Sequence, residues 1–153
     1  MPVILHVPPG GALLIFPLLI TWASDIGAFF VGRAFGKRKL MPSVSPGKTV
    51  AGAIGALVVT VIVGWLYTRF VLAPTTQLAF VRGGVFIFGF LVSVAAQVGD
   101  LAESLLKREA GMKDSSHIIP GHGGVLDRFD SLLFVLPVSY VLFNMLLVWA
   151  PTR

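Results

Sequence analysis

Four apolar runs, each long enough to cross a bilayer, constrain the fold of this chain more than any other feature of it. A hydrocarbon core of about 30 Å takes roughly 20 helical residues. Stretches of that order run approximately from Ala12 to Val31, Val50 to Leu72, Phe80 to Val98 and Leu132 to Trp149. Of the 153 residues, 56% are hydrophobic and 12% charged, and the mean hydropathy is +0.88. An ordinary soluble domain carries about a quarter charged residues, so these 7 acids and 12 bases are too few to cover a water-exposed surface. The chain therefore reads as all-α, a polytopic transmembrane helical bundle of about four membrane helices in one membrane-embedded domain over residues 1–153.

The interruptions of the runs are informative. The first holds Pro17 and Asp25, and the second is glycine-rich at its start, with Gly52 and Gly55 predicting a closely packed interior helix. The third continues into Asp100 and Glu103, the fourth contains Pro137, and Ala73-Pro74-Thr75-Thr76-Gln77 reads as a linker. Cysteine is absent, which excludes disulfides, thiolate catalysis and cysteine metal sites. The start Met1-Pro2-Val3-Ile4-Leu5-His6 lacks a basic region, so no cleavable signal peptide is expected.

Basic residues set the orientation, because Lys and Arg are held on the cytoplasmic side. Arg33, Lys37, Arg38, Lys39 and Lys48 lie between runs one and two, and Lys107, Arg108, Lys113 and Arg128 between runs three and four. The other side has Arg69, Arg82 and Arg153. Both basic loops are thus expected in the cytoplasm and both termini outside. The net charge of +5 does not point to nucleic acid, because the bases sit between apolar runs and not on one face of a soluble module.

Three constellations carry chemistry. Gln97, Asp100, Glu103, Ser104, Lys107 and Arg108 recur at spacings of three and four, within an arc of roughly 140° on one helix face. A carboxylate at the inner end of a membrane helix is costly unless paired or hydrated, which makes Asp100 a functional candidate; the alternative is an amphipathic helix end with internal ion pairs. The run Pro120-Gly121-His122-Gly123-Gly124-Val125-Leu126-Asp127-Arg128-Phe129-Asp130 joins a glycine-dense loop to two carboxylates. Backbone N–H groups in such a loop approach anions closely, and Asp127 and Asp130 are hard oxygen ligands suited to Mg²⁺; the alternative is a capping loop with Asp130 as N-cap. Ser45-Pro46-Gly47-Lys48-Thr49 is not a Walker A loop, because Pro42 stands where that motif needs glycine. Its hydroxyls and ammonium still suit a phosphate at a helix N-terminus, or a plain capping role. Asp25, with Arg33 about two turns later on nearly the same face, marks either a polar cavity or a structural pair. His6 reads as incidental and His117 as a loop residue, and there is no Ser-His-Asp set, HExxH or GxGxxG.

Together these residues resemble the phosphatidate cytidylyltransferase family. The stretch Ser104-Leu105-Leu106-Lys107-Arg108-Glu109-Ala110-Gly111-Met112-Lys113-Asp114, continued by Pro120 to Asp130, looks like the signature of that family. Ser24-Asp25-Ile26-Gly27-Ala28-Phe29-Phe30-Val31-Gly32-Arg33, Phe35-Gly36-Lys37 and Ser45 to Thr49 are similar to it as well. The resemblance implies transfer of CMP from CTP to phosphatidate, giving CDP-diacylglycerol and pyrophosphate, at a cytoplasm-facing site of a multi-pass inner-membrane enzyme. It implies Asp100 and Asp127 as ligands of Mg²⁺, with K⁺ alongside, and Lys107 and Arg128 as further catalytic groups. Substrate contacts would come from Asp25, Arg33, Ser45, Lys48, Thr49, Ser104, Arg108, Lys113, His122, Gly123, Gly124 and Asp130. The partners implied are CTP, phosphatidate, membrane lipid, and a second copy or another subunit that brings further helices; nucleic acid is not among them. Two departures stand out: this chain begins one helix before Asp25, where the family has several more, and Gly47 replaces the first lysine of the usual Lys-Lys-Thr. Rival readings are a related lipid enzyme such as a CDP-archaeol synthase or polyprenol kinase, an inactive truncated paralogue, and a small transporter using Asp25 and Asp100.

Overall fold

The computed structural model describes the backbone of residues 9–111 and 126–149, and the side chains of 10–111 and 131–149. The chain order is α1 (Pro9–Phe35), β1 (Lys39–Met41), β2 (Ser45–Thr49), α2 (Val50–Tyr67), a π-helical turn (Thr68–Leu72), α3 (Ala73–Thr76), β3 (Leu78–Phe80), α4 (Gly84–Glu109), α5 (Leu126–Leu146) and β4 (Leu147–Trp149). Among the described residues, three helical stretches are long and apolar enough to cross a membrane: Gly10–Phe35, Val50–Thr76 and Gly84–Glu109. Ser131–Leu146 adds a shorter apolar helix. Their outward faces carry Leu14, Trp22, Phe30, Phe70, Leu133 and Tyr140, each at least 60% exposed. Large apolar side chains in such numbers belong against lipid, not water.

The helices run up and down, so the C-terminal ends of α1 and α4 and the N-terminal ends of α2 and α5 share one end of the bundle. Lipid tails are as apolar as leucine, so helix association here depends on close packing and interhelical hydrogen bonds, not on water exclusion. Small residues supply that closeness. A Cβ on Gly27 would stand 2.9 Å from the Val59 side chain, one on Gly52 would stand 2.7 Å from the Ala28 carbonyl, and one on Gly55 would overlap Val31. Gly89 sits the same way against Val61, which joins α4 to α2, and Gly99 against Ser131 and Phe134, which joins α4 to α5. The tight interior packing expected of Gly52 and Gly55 is therefore realised on α1.

Four boundaries differ from the sequence reading. Ala73-Pro74-Thr75-Thr76 is helical, not a linker: Pro74 has no N–H to give, and the span passes it in π register, with the Ala73 N–H reaching the Thr68 carbonyl. The third apolar run becomes helical at Gly84, not Phe80, and the fourth stops at Leu146, not Trp149. The reason for both is the antiparallel pairing of Leu78, Ala79 and Phe80 with Trp149, Val148 and Leu147. Gly83, at φ 78°, turns the chain from that strand into α4. The fourth difference is a hairpin between α1 and α2, which pairs Lys39 with Thr49 and Met41 with Ser45. Strands this short, with Pro46 and Gly47 inside one of them, leave no alternating pattern to read.

At the end where α1 begins, the core is aromatic. Phe16 stacks on Tyr67 at 4.8 Å and on Phe88 at 5.0 Å, and Phe88 stacks on Phe143 at 4.9 Å. The Tyr67 hydroxyl donates to the Ala12 carbonyl at 2.9 Å, giving its buried polar tip a partner. The opposite end is polar and glycine-rich. There Thr49 caps α2, its extended backbone letting the side-chain oxygen accept from the Gly52 N–H at 3.1 Å.

Gly55→Leu is expected to lower the stability of the detergent-solubilised chain by about 1–3 kcal/mol through overpacking against Val31. Thr49→Ala is expected to cost about 1 kcal/mol through loss of the cap, whereas Thr49→Ser retains it. Thermal unfolding followed by circular dichroism measures all three variants.

Candidate active site

Inside the polar end lies a cavity of about 550 Å³. Its walls come from α1 (Ser24, Asp25, Ala28, Phe29, Gly32, Arg33), from α2 (Gly52, Ala53) and from α4 (Ala96, Gln97, Asp100). Lys39 and Leu40 of β1, with Gly47, Lys48 and Thr49 of β2, form its rim. Asp25 precedes the end of α1, and Asp100 the end of α4, by roughly 15 Å of helix. Both carboxylates therefore lie on membrane-spanning helices, where a charge persists only with water, a counter-charge or a ligand.

Small side chains make the room. Ser24, Ala28 and Gly32 recur every four residues along α1, with Gly36 continuing the spacing just past its end, so one face of that helix is almost bare. Gly32 and Gly36 abut Thr49, and a Cβ on Gly32 would come within 2.9 Å of its Oγ1. A polar seam lies at the floor of the cavity. Gln97 Nε2 donates to Ser93 Oγ at 3.3 Å and to the Ala53 carbonyl at 3.4 Å, and Ser93 shares a 3.4 Å hydrogen bond with Ser24. Three helices are thus held to one another by hydrogen bonds at the level where the charged groups begin, and bonds between membrane helices contribute about 0.6 kcal/mol each on average.

The electrostatics centre on Asp100, whose Oδ2 forms an ion pair with Lys48 Nζ. The side chains are 25% exposed for Lys48 and 39% for Asp100, while the ammonium nitrogen itself is shielded from solvent. Arg33 and Lys39 add positive charge to the same walls. A cavity that sets two carboxylates among three cationic side chains suits a ligand carrying both negative phosphates and a bound cation.

Of the residues singled out in the sequence, Asp25, Arg33, Lys48, Thr49 and Asp100 are brought together in this cavity. Ser45 lies on β2 outside its lining. Beyond Asp100 along α4, Ser104 donates to the Asp100 carbonyl at 2.8 Å, Lys107 pairs with Glu103 at 3.0 Å, and Arg108 is exposed in the last turn. Asp127, Arg128 and Asp130 fall in the first turns of α5, where the backbone alone is described, while Lys113, His122, Gly123 and Gly124 lie outside the described residues. The backbone of Asp127 is one turn ahead of Ser131, which packs on Gly99 beside Asp100. Sequence reasoning passed over Ser24, Ala28, Gly32 and Gly52 as lining and used Lys39 only for orientation. The four-residue spacing of small residues on α1 was the signal available for the former.

The described donors suit a hard divalent cation. No cluster of three or more His, Cys, Asp or Glu side chains is present among the described residues. Asp25 and Asp100 nevertheless line one cavity, and Mg²⁺ is commonly held by one or two carboxylates plus substrate phosphates and water. The Lys48 ammonium seated on Asp100 marks a position already arranged for positive charge.

The model of the cytidylyltransferase family matches residues 1–146. The phosphatidate cytidylyltransferase of Haemophilus influenzae is 48% identical over 148 residues, covering 92% of this chain and 49% of the relative. That of Bacillus subtilis is 44% identical over 133 residues, covering 87% of this chain and 48% of the relative. The chain spans about half the length of the curated relatives it matches. Among solved structures, an intramembrane enzyme for archaeal membrane lipids biosynthesis superposes with a TM-score of 0.59 at 22% identity, over 84% of this chain and 77% of that one, a likeness of fold. With a family match over nearly the whole chain and relatives 44–48% identical over most of it, this chain belongs to the cytidylyltransferase family.

Proposed function

We propose that this chain carries the nucleotidyl-transfer site of a phosphatidate cytidylyltransferase, moving CMP from CTP to phosphatidate to give CDP-diacylglycerol and pyrophosphate. The observation that carries this reading is the cavity shared by Asp25, Asp100, Arg33, Lys39 and Lys48 at the end of a membrane bundle. The names of the relatives, at 44–48% identity over most of this chain, support the acceptor lipid and the nucleotide. The volume of about 550 Å³ falls within the usual range for small-molecule sites.

In this mechanism an anionic phosphate oxygen of phosphatidate attacks the α-phosphorus of CTP in line. The bond from the α-phosphorus to the bridging oxygen breaks, and pyrophosphate leaves. The attacking oxygen is already ionised, so the site needs no strong general base, and catalysis consists of positioning and charge stabilisation. Lys48, which pairs with Asp100, and Thr49, whose hydroxyl hydrogen remains available beyond its capping role, are assigned as phosphate donors at the cavity rim. Ser45, Lys107 and Arg128 are assigned as further donors, and the glycine loop around His122 as a phosphate cradle. Asp100 and Asp127 are assigned as Mg²⁺ ligands, with Asp25 on the same cavity wall and K⁺ as an accompanying ion. When bound there, Mg²⁺ would neutralise charge on the triphosphate and the departing pyrophosphate.

The site is assigned to the cytoplasmic face. Arg33, Lys37, Arg38, Lys39, Lys48, Lys107 and Arg108 cluster at the end of the bundle where the hairpin stands, while Arg69 and Arg82 lie toward the other end. That asymmetry supports the orientation, and CTP is supplied from the cytoplasm.

Radiolabelled CTP and phosphatidate in mixed micelles test the reading. The wild-type chain is expected to form CDP-diacylglycerol, and Asp100→Asn and Asp127→Asn are each expected to lower kcat at least about 100-fold. Near-normal turnover in either variant would overturn the metal assignment. A preference for an ether-linked acceptor over phosphatidate would overturn the choice of lipid.

A further inference from the structure

In this cavity the group seated on the key carboxylate is a side chain of the protein. Lys48 reaches from β2 to Asp100 on α4, which makes it a counter-ion at the position where the proposed mechanism requires a divalent cation. A dipositive ion on Asp100 and an ammonium on its Oδ2 repel each other at that range, so each weakens the other's hold on the carboxylate. Cation binding at Asp100 therefore competes with the Lys48 pair.

The displaced ammonium has little choice of destination. Its backbone is anchored by the two residues that follow it. Thr49 caps α2 and pairs with Lys39 across the hairpin, and the Val50 N–H donates to the Arg38 carbonyl at 3.0 Å. What can relocate is the four-carbon stem and the compact, strongly hydrated charge at its tip. A lysine left without an anion in a membrane-spanning bundle is unfavourable; its neighbours on the cavity wall include two more cations, Arg33 and Lys39, and one further carboxylate, Asp25, which already has an interaction of its own. A triphosphate entering with its cation removes the difficulty, because it offers the ammonium a new anion at the moment the carboxylate is taken.

We propose that Lys48 is an exchangeable counter-ion: it occupies Asp100 until nucleotide and divalent cation arrive together, then passes to the triphosphate, making the binding of each depend on the other. This rests on the nucleotidyl-transfer reading and adds the coupling to it. The ion pair holds the Asp100 carboxylate in place before substrate arrives, and it makes the divalent cation alone a poor ligand. Because coupling between two ligands is reciprocal, nucleotide tightens the cation by the same factor as the cation tightens nucleotide, typically about 5- to 150-fold.

Mn²⁺ serves as the probe, its free concentration read by electron paramagnetic resonance on the whole chain in detergent, with and without CTP and without acceptor lipid, each against a protein-free titration that accounts for Mn²⁺ chelated by CTP. The wild-type chain is expected to bind Mn²⁺ weakly alone and roughly tenfold more tightly with CTP. In Lys48→Met, which keeps the stem and removes the charge, Mn²⁺ alone is expected to bind roughly tenfold more tightly than in wild type. CTP should then add no more than about a twofold further gain. Lys48→Gln carries the same expectation if the Met variant does not fold, and Lys48→Arg, which keeps the charge, should retain weak Mn²⁺ binding. Unchanged Mn²⁺ affinity in the folded neutral variants, or tight Mn²⁺ binding in Lys48→Arg, overturns the proposal. If wild type forms product from CTP while the neutral variants show no tightening, counter-ion exchange alone fails. If wild type binds no Mn²⁺ with CTP and forms no product, the nucleotidyl-transfer reading fails with it.

Discussion

A carboxylate within a bilayer constrains everything around it. Asp25 and Asp100 each precede the C-terminal end of their helix by roughly 15 Å, on helices long and apolar enough to cross a membrane. A short acidic side chain cannot snorkel as lysine does, so the protein has to bring polarity down to it. The cavity, the basic hairpin over its mouth and the hydrogen-bonded floor under it all answer this one requirement. A hydrophobic filling of the same space would leave both carboxylates without solvation.

Meeting that requirement divides the bundle into two halves that pack by different means. At the end where α1 begins, large rings fill the space between helices, and Phe16 and Phe88 are wholly buried. At the other end the filling is removed. Ser24, Ala28 and Gly32, with Gly36 just past its end, strip one face of α1, while Gly52 and Gly55 let α2 approach it closely. Close backbone contact there maintains cohesion that side-chain volume would otherwise provide, and it leaves an opening beside Asp100. Stability and site are thus drawn from opposite ends of the same helices, which is how a small bundle can hold a polar cavity in a low-dielectric solvent.

Lys48 and Asp100 link the hairpin to α4 through an ion pair. Removing one member of such a pair leaves the other as an isolated charge in a partly desolvated place, so the two residues function as a unit. The hairpin matters because it points lysine side chains inward over the cavity from a backbone fixed by the Thr49 cap. A flexible loop with the same composition would present the same charges without fixing where they originate.

Much of this was legible in the linear chain, for physical reasons that differ by residue. Helix class and approximate spans follow from run length, because a bilayer demands about 20 apolar residues in a row. Asp25 and Asp100 were conspicuous because charge is so costly in such a run, and the close packing of Gly52 and Gly55 followed from what small residues do between membrane helices. The hairpin over residues 39–49 and the pairing of 78–80 with 147–149 were not legible, since three- and five-residue strands carry no period and the second pair joins segments far apart in sequence. Nor could one dimension reveal that the Lys48 ammonium meets the Asp100 carboxylate. The sequence by itself determined which residues had to leave water and which charges would be expensive, because transfer to lipid is a property of each residue and its near neighbours. Only the tertiary structure decided which charge answers which, because that depends on how closely the glycine faces let the helices approach.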